Sequence, residues 1–184
     1  MRNQASRRMA LCGITAALMM TVMMVGSFLP LSTYSCPMLA GALLIPICWE
    51  IGPRMGGLVY LAVAILSILM APDKEAVFLF VFLLGWYPMA RPKLQHIRVK
   101  ALRWAMKILL FNLAACLTYA FLLYVLTLPD LQAEFADWTV LFLAGFLFLG
   151  NVTFLLYDIA LGRLGDFYIL KIRPKLFSTH TIDL

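Results

Sequence analysis

Charge is what this sequence has least of. Lys, Arg, Asp and Glu make up 13% of 184 residues, while hydrophobic residues make up 64%. A soluble domain carries about 25% charged residues, so a water-covered globular surface is excluded. Histidine is scarce, with His96 and His180 alone. The four cysteines, Cys12, Cys36, Cys48 and Cys116, form no CxxC pair and have no histidine near them in sequence. That leaves no sign of a zinc site or a disulfide framework, and the cysteines read as small packing residues. No HExxH, GxSxG or phosphate-binding loop occurs, so the compact motifs of hydrolases and nucleotide-driven enzymes are missing. Nothing calls for a cofactor, a metal or a nucleic-acid partner. The chain also lacks low-complexity stretches and internal repeats, which removes the sequence sign of an inverted-repeat transporter.

What remains is apolar sequence of spanning length. Mean hydropathy is +0.93, and a membrane-crossing helix needs about 20 apolar residues. Six such runs are predicted, at roughly 9–29, 37–49, 55–71, 76–90, 102–128 and 138–161. The expected fold is a single membrane-embedded, all-α bundle of about six helices filling residues 1–184. Arg2, Arg7 and Arg8 precede a run too long for a signal-peptide core, so the first run is read as a retained span. The second and fourth runs are short, and a re-entrant pair of the second and third is the alternative topology. With six crossings and both termini cytoplasmic, all of the 15 Lys and Arg residues except Lys74 fall inside, as the positive-inside rule requires. The external loops are then PLSTYSCP, APDKEA and LPDLQAEFADW. Trp86, Tyr87, Trp104 and Trp138 near span ends read as an interfacial aromatic belt.

Polar residues inside the spans are few: Asn112 and Thr118 in the fifth, Asn151, Thr153 and Asp158 in the sixth. At about 1.5 Å rise per residue, Asn112 lies roughly 14 Å from a basic edge near Arg103 and Asp158 roughly 8 Å from one near Arg163. Hydrogen bonding between the fifth and sixth spans is expected at that depth. Asp158 is expected to pair with Arg163, Lys107 or Arg54. In the first span, Cys12 with Ala16 and Gly13 with Ala17 place small side chains four apart, a pattern that favours close helix approach in membranes. The methionines 19, 20, 23 and 24 follow as lipid-facing or core filler.

Between the second and third runs lies WEIGPRMGG. Gly52 and Pro53 break the helix there, Arg54 supplies inside positive charge, and Glu50 is its expected counter-charge. The run GPRMGGLVYLAVAILSIL (52–69) looks like the glycine-proline-basic-x-glycine turn joining spans two and three in substrate-binding S components of energy-coupling factor (ECF) transporters. ALCGITAALMM in span one is similar to their small-residue docking helix. The resemblance implies a subunit that captures a vitamin-like micronutrient from outside. It implies delivery driven by a transmembrane coupling subunit and two ATPases. Cys12, Gly13, Ala16, Ala17 and Arg54 would map to the coupling face, and Tyr34, Asp73, Lys74 and Glu75 to the substrate lid. APDKEA lacks the glycine-rich connection of the biotin-type member, leaving the substrate open. Two other readings stand beside it. One is a six-span cell-envelope scaffold of the rod-shape type, which would use the basic loop 91–107. The other is a lipid-acting enzyme built on Asp158 and His96.

Overall fold

A computed structural model describes residues 2–28, 32–126 and 139–173, and every regular element among them is helical. α1 runs Arg2–Gly26. α2 (Ser32–Ala42) and α3 (Ile45–Glu50) form one segment broken at Leu43–Leu44, just ahead of Pro46. α4 is Pro53–Met70. α5 (Lys74–Leu79) passes through a π-helical turn, Phe80–Leu84, into α6 (Tyr87–Gln95). α7 is Lys100–Tyr124, and α8, Val140–Phe167, continues as a π-helical turn to Ile172.

Five segments are long and apolar enough to cross a membrane: Ser6–Gly26, Ser32–Glu50, Pro53–Met70, Lys100–Tyr124 and Leu141–Lys171. The shortest has 18 residues, about 27 Å of helix against a hydrocarbon core of about 30 Å. Their outward faces carry Leu61, Leu69, Leu109, Leu113 and Leu141, all largely exposed. That surface suits lipid and not water.

The segment 74–95 is a further, interrupted helical unit, and among the described segments it is the most buried. Val77 and Phe80 join a core with Met19, Met23, Leu44 and Val63. Leu83, Leu84 and Tyr87 join a second core with Ala114, Phe154 and Tyr157. Its π turn closes with Gly85 N donating to Phe80 O at 2.8 Å. Carbonyls around the turn accept from side chains: Tyr60 Oη donates to Val81 O at 2.6 Å, Trp86 Nε1 to Phe82 O at 2.8 Å, and Tyr157 Oη to Leu84 O at 3.3 Å. An irregular backbone inside an apolar bundle requires such partners.

Several element boundaries differ from those expected. The second segment starts at Ser32 instead of 37, because Ser32 is buried and its hydroxyl bonds Gly26 O. Tyr34 is therefore helical and not in a loop. The last helix continues past 161, since no proline follows until Pro174 and single glycines do not end a helix. Tyr87 is in the core instead of an interfacial belt, drawn in by a buried partner described below. Met19 and Met23 are core residues, one of the two roles expected of the methionines. The expected third loop and Trp138 lie outside the described residues.

Two glycines matter to this packing. Gly52 has φ of +116°, a conformation that side chains disfavour, and it turns the chain into Pro53 at the head of α4. Gly41 lies against the π turn, where an added Cβ would strike Leu84 O and Tyr157 Oη. Helices in lipid gain little from hydrophobic burial and hold by close packing. Gly41→Ala is therefore expected to cost about 1–3 kcal/mol, read as a lower midpoint of thermal unfolding in detergent. Gly57→Ala, with nothing near its added methyl, should leave that midpoint unchanged or slightly raised.

Candidate functional site

The turn between α4 and α5 divides the acidic-end residues into two groups. Asp73 caps α5, accepting from Ala76 N at 3.0 Å and from Thr33 Oγ1 at 2.9 Å. Aspartate is a favoured N-cap for this reason. Lys74 Nζ donates to Ile68 O at 2.8 Å and Ala71 O at 3.0 Å, covering carbonyls at the end of α4. Asp73 and Lys74, both expected at a substrate lid, thus serve the turn itself. Glu75 instead meets Tyr34: Tyr34 Oη donates to Glu75 Oε1 at 2.8 Å.

Tyr119 joins them from α7. Its hydroxyl donates to the same Oε1 at 2.7 Å and lies 3.2 Å from Tyr34 Oη. Phe146 of α8 packs edgewise on both rings, with centroids 6.4 Å from Tyr34 and 5.8 Å from Tyr119. Sequence reasoning missed both. Tyr119 carried one weak signal, being one of two tyrosines, with Tyr124, in the later part of an apolar run. Phe146 carried none, being one of 13 phenylalanines.

Beneath this cluster is a cavity of about 110 Å³. Met38, Leu79, Leu83, Phe111 and Ala115 line it below the tyrosines, and Gly150 and Thr153 line its α8 side. A dry apolar cavity of about 150 Å³ holds a benzene-sized molecule, so this space is on the scale of one small ring. Near Gly150, Asn112 and Asn151 exchange amide hydrogen bonds at 3.0 and 3.2 Å. They supply the expected hydrogen bonding between those helices.

The opposite, basic end is built on a buried carboxylate. Asp158 Oδ1 accepts from Tyr87 Oη at 2.6 Å and Arg91 Nε at 3.0 Å, and Oδ2 accepts from Lys107 Nζ at 2.5 Å. Lys107 and Asp158 are 2% and 3% exposed. Of the expected partners, Lys107 is present. Arg91, brought in by α6, takes the place given to Arg163 or Arg54. Every donor on this carboxylate is a helix-borne side chain, an arrangement that fixes α6, α7 and α8 to one another. Beside it, a cleft of about 440 Å³ is lined by Arg91, His96 and Trp49.

The coupling-face residues divide as well. Cys12 and Ala16 pack against the core. Gly13 and Ala17 are exposed, with nothing close to Gly13. Arg54 is exposed, and Glu50 pairs with Arg173 at 3.1 Å instead, with Tyr168 Oη at 3.3 Å. The helix of α8 extends far enough to bring Arg173 to Glu50, which the shorter expected span did not allow.

Comparisons with profiles of protein families, with curated proteins and with solved structures found no match to this chain.

Removing one partner of a buried ion pair leaves an uncompensated charge and costs about 3–5 kcal/mol. Asp158→Asn should therefore destabilise the bundle by that order, since Lys107 cannot reach water from its position. Lys107→Met in the Asp158→Asn background should recover part of the loss. Thermal unfolding in nanodiscs measures both.

Proposed function

We propose that this chain is a membrane-embedded subunit that captures a small molecule at its acidic end and delivers it inward under the drive of a separate ATPase module, as ECF-type S components do. The observation that carries the reading is the cavity lying directly under the Tyr34–Glu75–Tyr119 cluster. The charge distribution supports its orientation: Arg91, Lys93, Arg98, Lys100 and Arg103 gather at the end away from Glu75, and positive charge stays inside. On that reading 74–95 is the sixth crossing, both termini are cytoplasmic and the cavity opens outward. Gly13 and Ala17 give α1 a smooth outer stripe against which a transmembrane coupling subunit can pack, and Arg54 sits on the same side of the membrane as the ATPases.

A cell-envelope scaffold is the second reading, favoured by the exposed basic residues Lys93 in α6, Arg98 in the turn after it and Lys100 at the start of α7. The two part at the ligand. Gently solubilised protein is expected to release a small molecule detectable by mass spectrometry, and affinity capture from native membranes should recover a coupling subunit and ATPases. Absence of both, with foci at sites of wall growth, would establish the scaffold instead. Replacing Gly13 and Ala17 together by Leu should abolish recovery of the ATPases while the co-purifying molecule is retained. Loss of the molecule with the complex intact would contradict the assignment of that face.

A further inference from the structure

The charges beside the two tyrosines that line the cavity are unequally used. Lys74 is held by two backbone carbonyls, and Asp73 is used by the cap of α5 and by Thr33. Glu75 forms no ion pair among the described residues. Both tyrosine hydroxyls bond its Oε1, while Oε2 accepts no hydrogen bond from a described residue. A carboxylate with one oxygen uncommitted, at the rim of an apolar cavity, lowers the energy of a positive charge placed beside it. The rings of Tyr34, Tyr119 and Phe146 pack edgewise on one another beside the same point and give an apolar body there an aromatic surface to lie against.

We infer that the captured molecule is an organic cation, with an ammonium-type head at Glu75 among Tyr34, Tyr119 and Phe146 and an apolar body in the cavity below. This rests on the capture reading and adds the substrate class to it. A bare divalent metal does not fit, because such ions take six or more oxygen ligands and a single carboxylate with two phenols supplies too few. An anion does not fit either, since the nearest ammonium, Lys74, is already engaged. The cavity admits a body of about one ring; its walls Met38, Leu79, Leu83 and Phe111 are apolar, and the Thr153 hydroxyl donates to Leu149 O. The two tyrosine hydroxyls have a second role here. By bonding Oε1 they hold the carboxylate at the rim and keep it from turning away toward water.

The test uses the full chain in nanodiscs, empty discs as the blank, and three probes of similar size: benzyltrimethylammonium, its neutral isostere neopentylbenzene, and anionic benzylphosphonate. Isothermal titration is expected to give the cation an affinity about tenfold above the isostere, the scale of one charge-assisted contact to a carboxylate. High salt should narrow the gap. Glu75→Gln should bring the two within about threefold of each other, a difference of well under 1.4 kcal/mol. Tyr119→Phe keeps the ring and leaves Tyr34 bonded to Oε1, so it should keep the preference, provided its thermal unfolding shows a folded bundle. Equal binding of cation and isostere, tighter binding of the phosphonate, or a preference that survives Glu75→Gln overturns the cation assignment and leaves the capture reading standing. Binding of none of the three also overturns the assignment, and the co-purification experiment then decides the capture reading on its own.

Discussion

A carboxylate inside an apolar bundle is stable only with cations at hydrogen-bonding distance, and Asp158 obtains two from two other helices. That requirement sets the relative positions of α6, α7 and α8. Arg91 and Lys107 can both reach Asp158 only in one register, so the three helices cannot slide without stranding a charge. The constraint extends to the far end through stacked rings. Tyr87, which donates to Asp158, packs edgewise on Phe154 at 4.9 Å, and Phe154 stacks on Phe111 at 4.9 Å. Phe111 is a wall of the cavity. The shape of the cavity floor thus depends on an ion cluster that never touches it.

The π turn at Phe80–Leu84 solves a related problem. A continuous α-helix through residues 74–95 would rotate its faces regularly and could not serve two cores of different composition. The wide turn shifts the register, so that Val77 and Phe80 face the α1–α4 side while Leu83, Leu84 and Tyr87 face α7 and α8. Widening a helix in a dry environment weakens backbone bonding, and Tyr60, Trp86 and Tyr157 cover the carbonyls around it. Gly41 completes the arrangement by letting α2 come up to Leu84 O. Each of these residues is ordinary taken singly. Their function is visible only once the turn that needs them is in place.

How far the sequence alone foretold this follows from the same physics. Hydropathy located α1, α4, α7 and α8, because lipid exposure demands an apolar surface wherever the neighbours lie. It misjudged 37–49 because the polar residues of STYSC suggested a loop, whereas Ser32 and Thr33 bond to Gly26 and Asp73. The depth of Asp158 and its pairing with Lys107 followed from rise per residue, since two antiparallel helices share a scale. Arg91 was hidden because its position depends on the π turn, which no local pattern announces. Tyr34 and Glu75 were expected in two separate loops, and the structure brings them together from two helices. Tyr119 and Phe146 complete the cluster from distant helices, and long-range pairing of that kind leaves no trace in local spacing.

The two ends of the bundle treat charge in opposite ways, and the difference bears on function. At the basic end Asp158 is saturated by three donors, so its energy is spent on architecture and little field remains to act on a ligand. At the acidic end the charges are divided. Asp73 and Lys74 are absorbed by helix ends, and Glu75 keeps an open oxygen at the rim of a cavity. An uncompensated carboxylate is costly where water is scarce, and two tyrosine hydroxyls lessen that cost without cancelling the charge. A purely structural clamp between α2, α5 and α7 would be served as well by a neutral glutamine, which accepts hydrogen bonds from tyrosine without the burden of charge. On the capture reading proposed above, that charge is the feature of this end that a positive ligand would use.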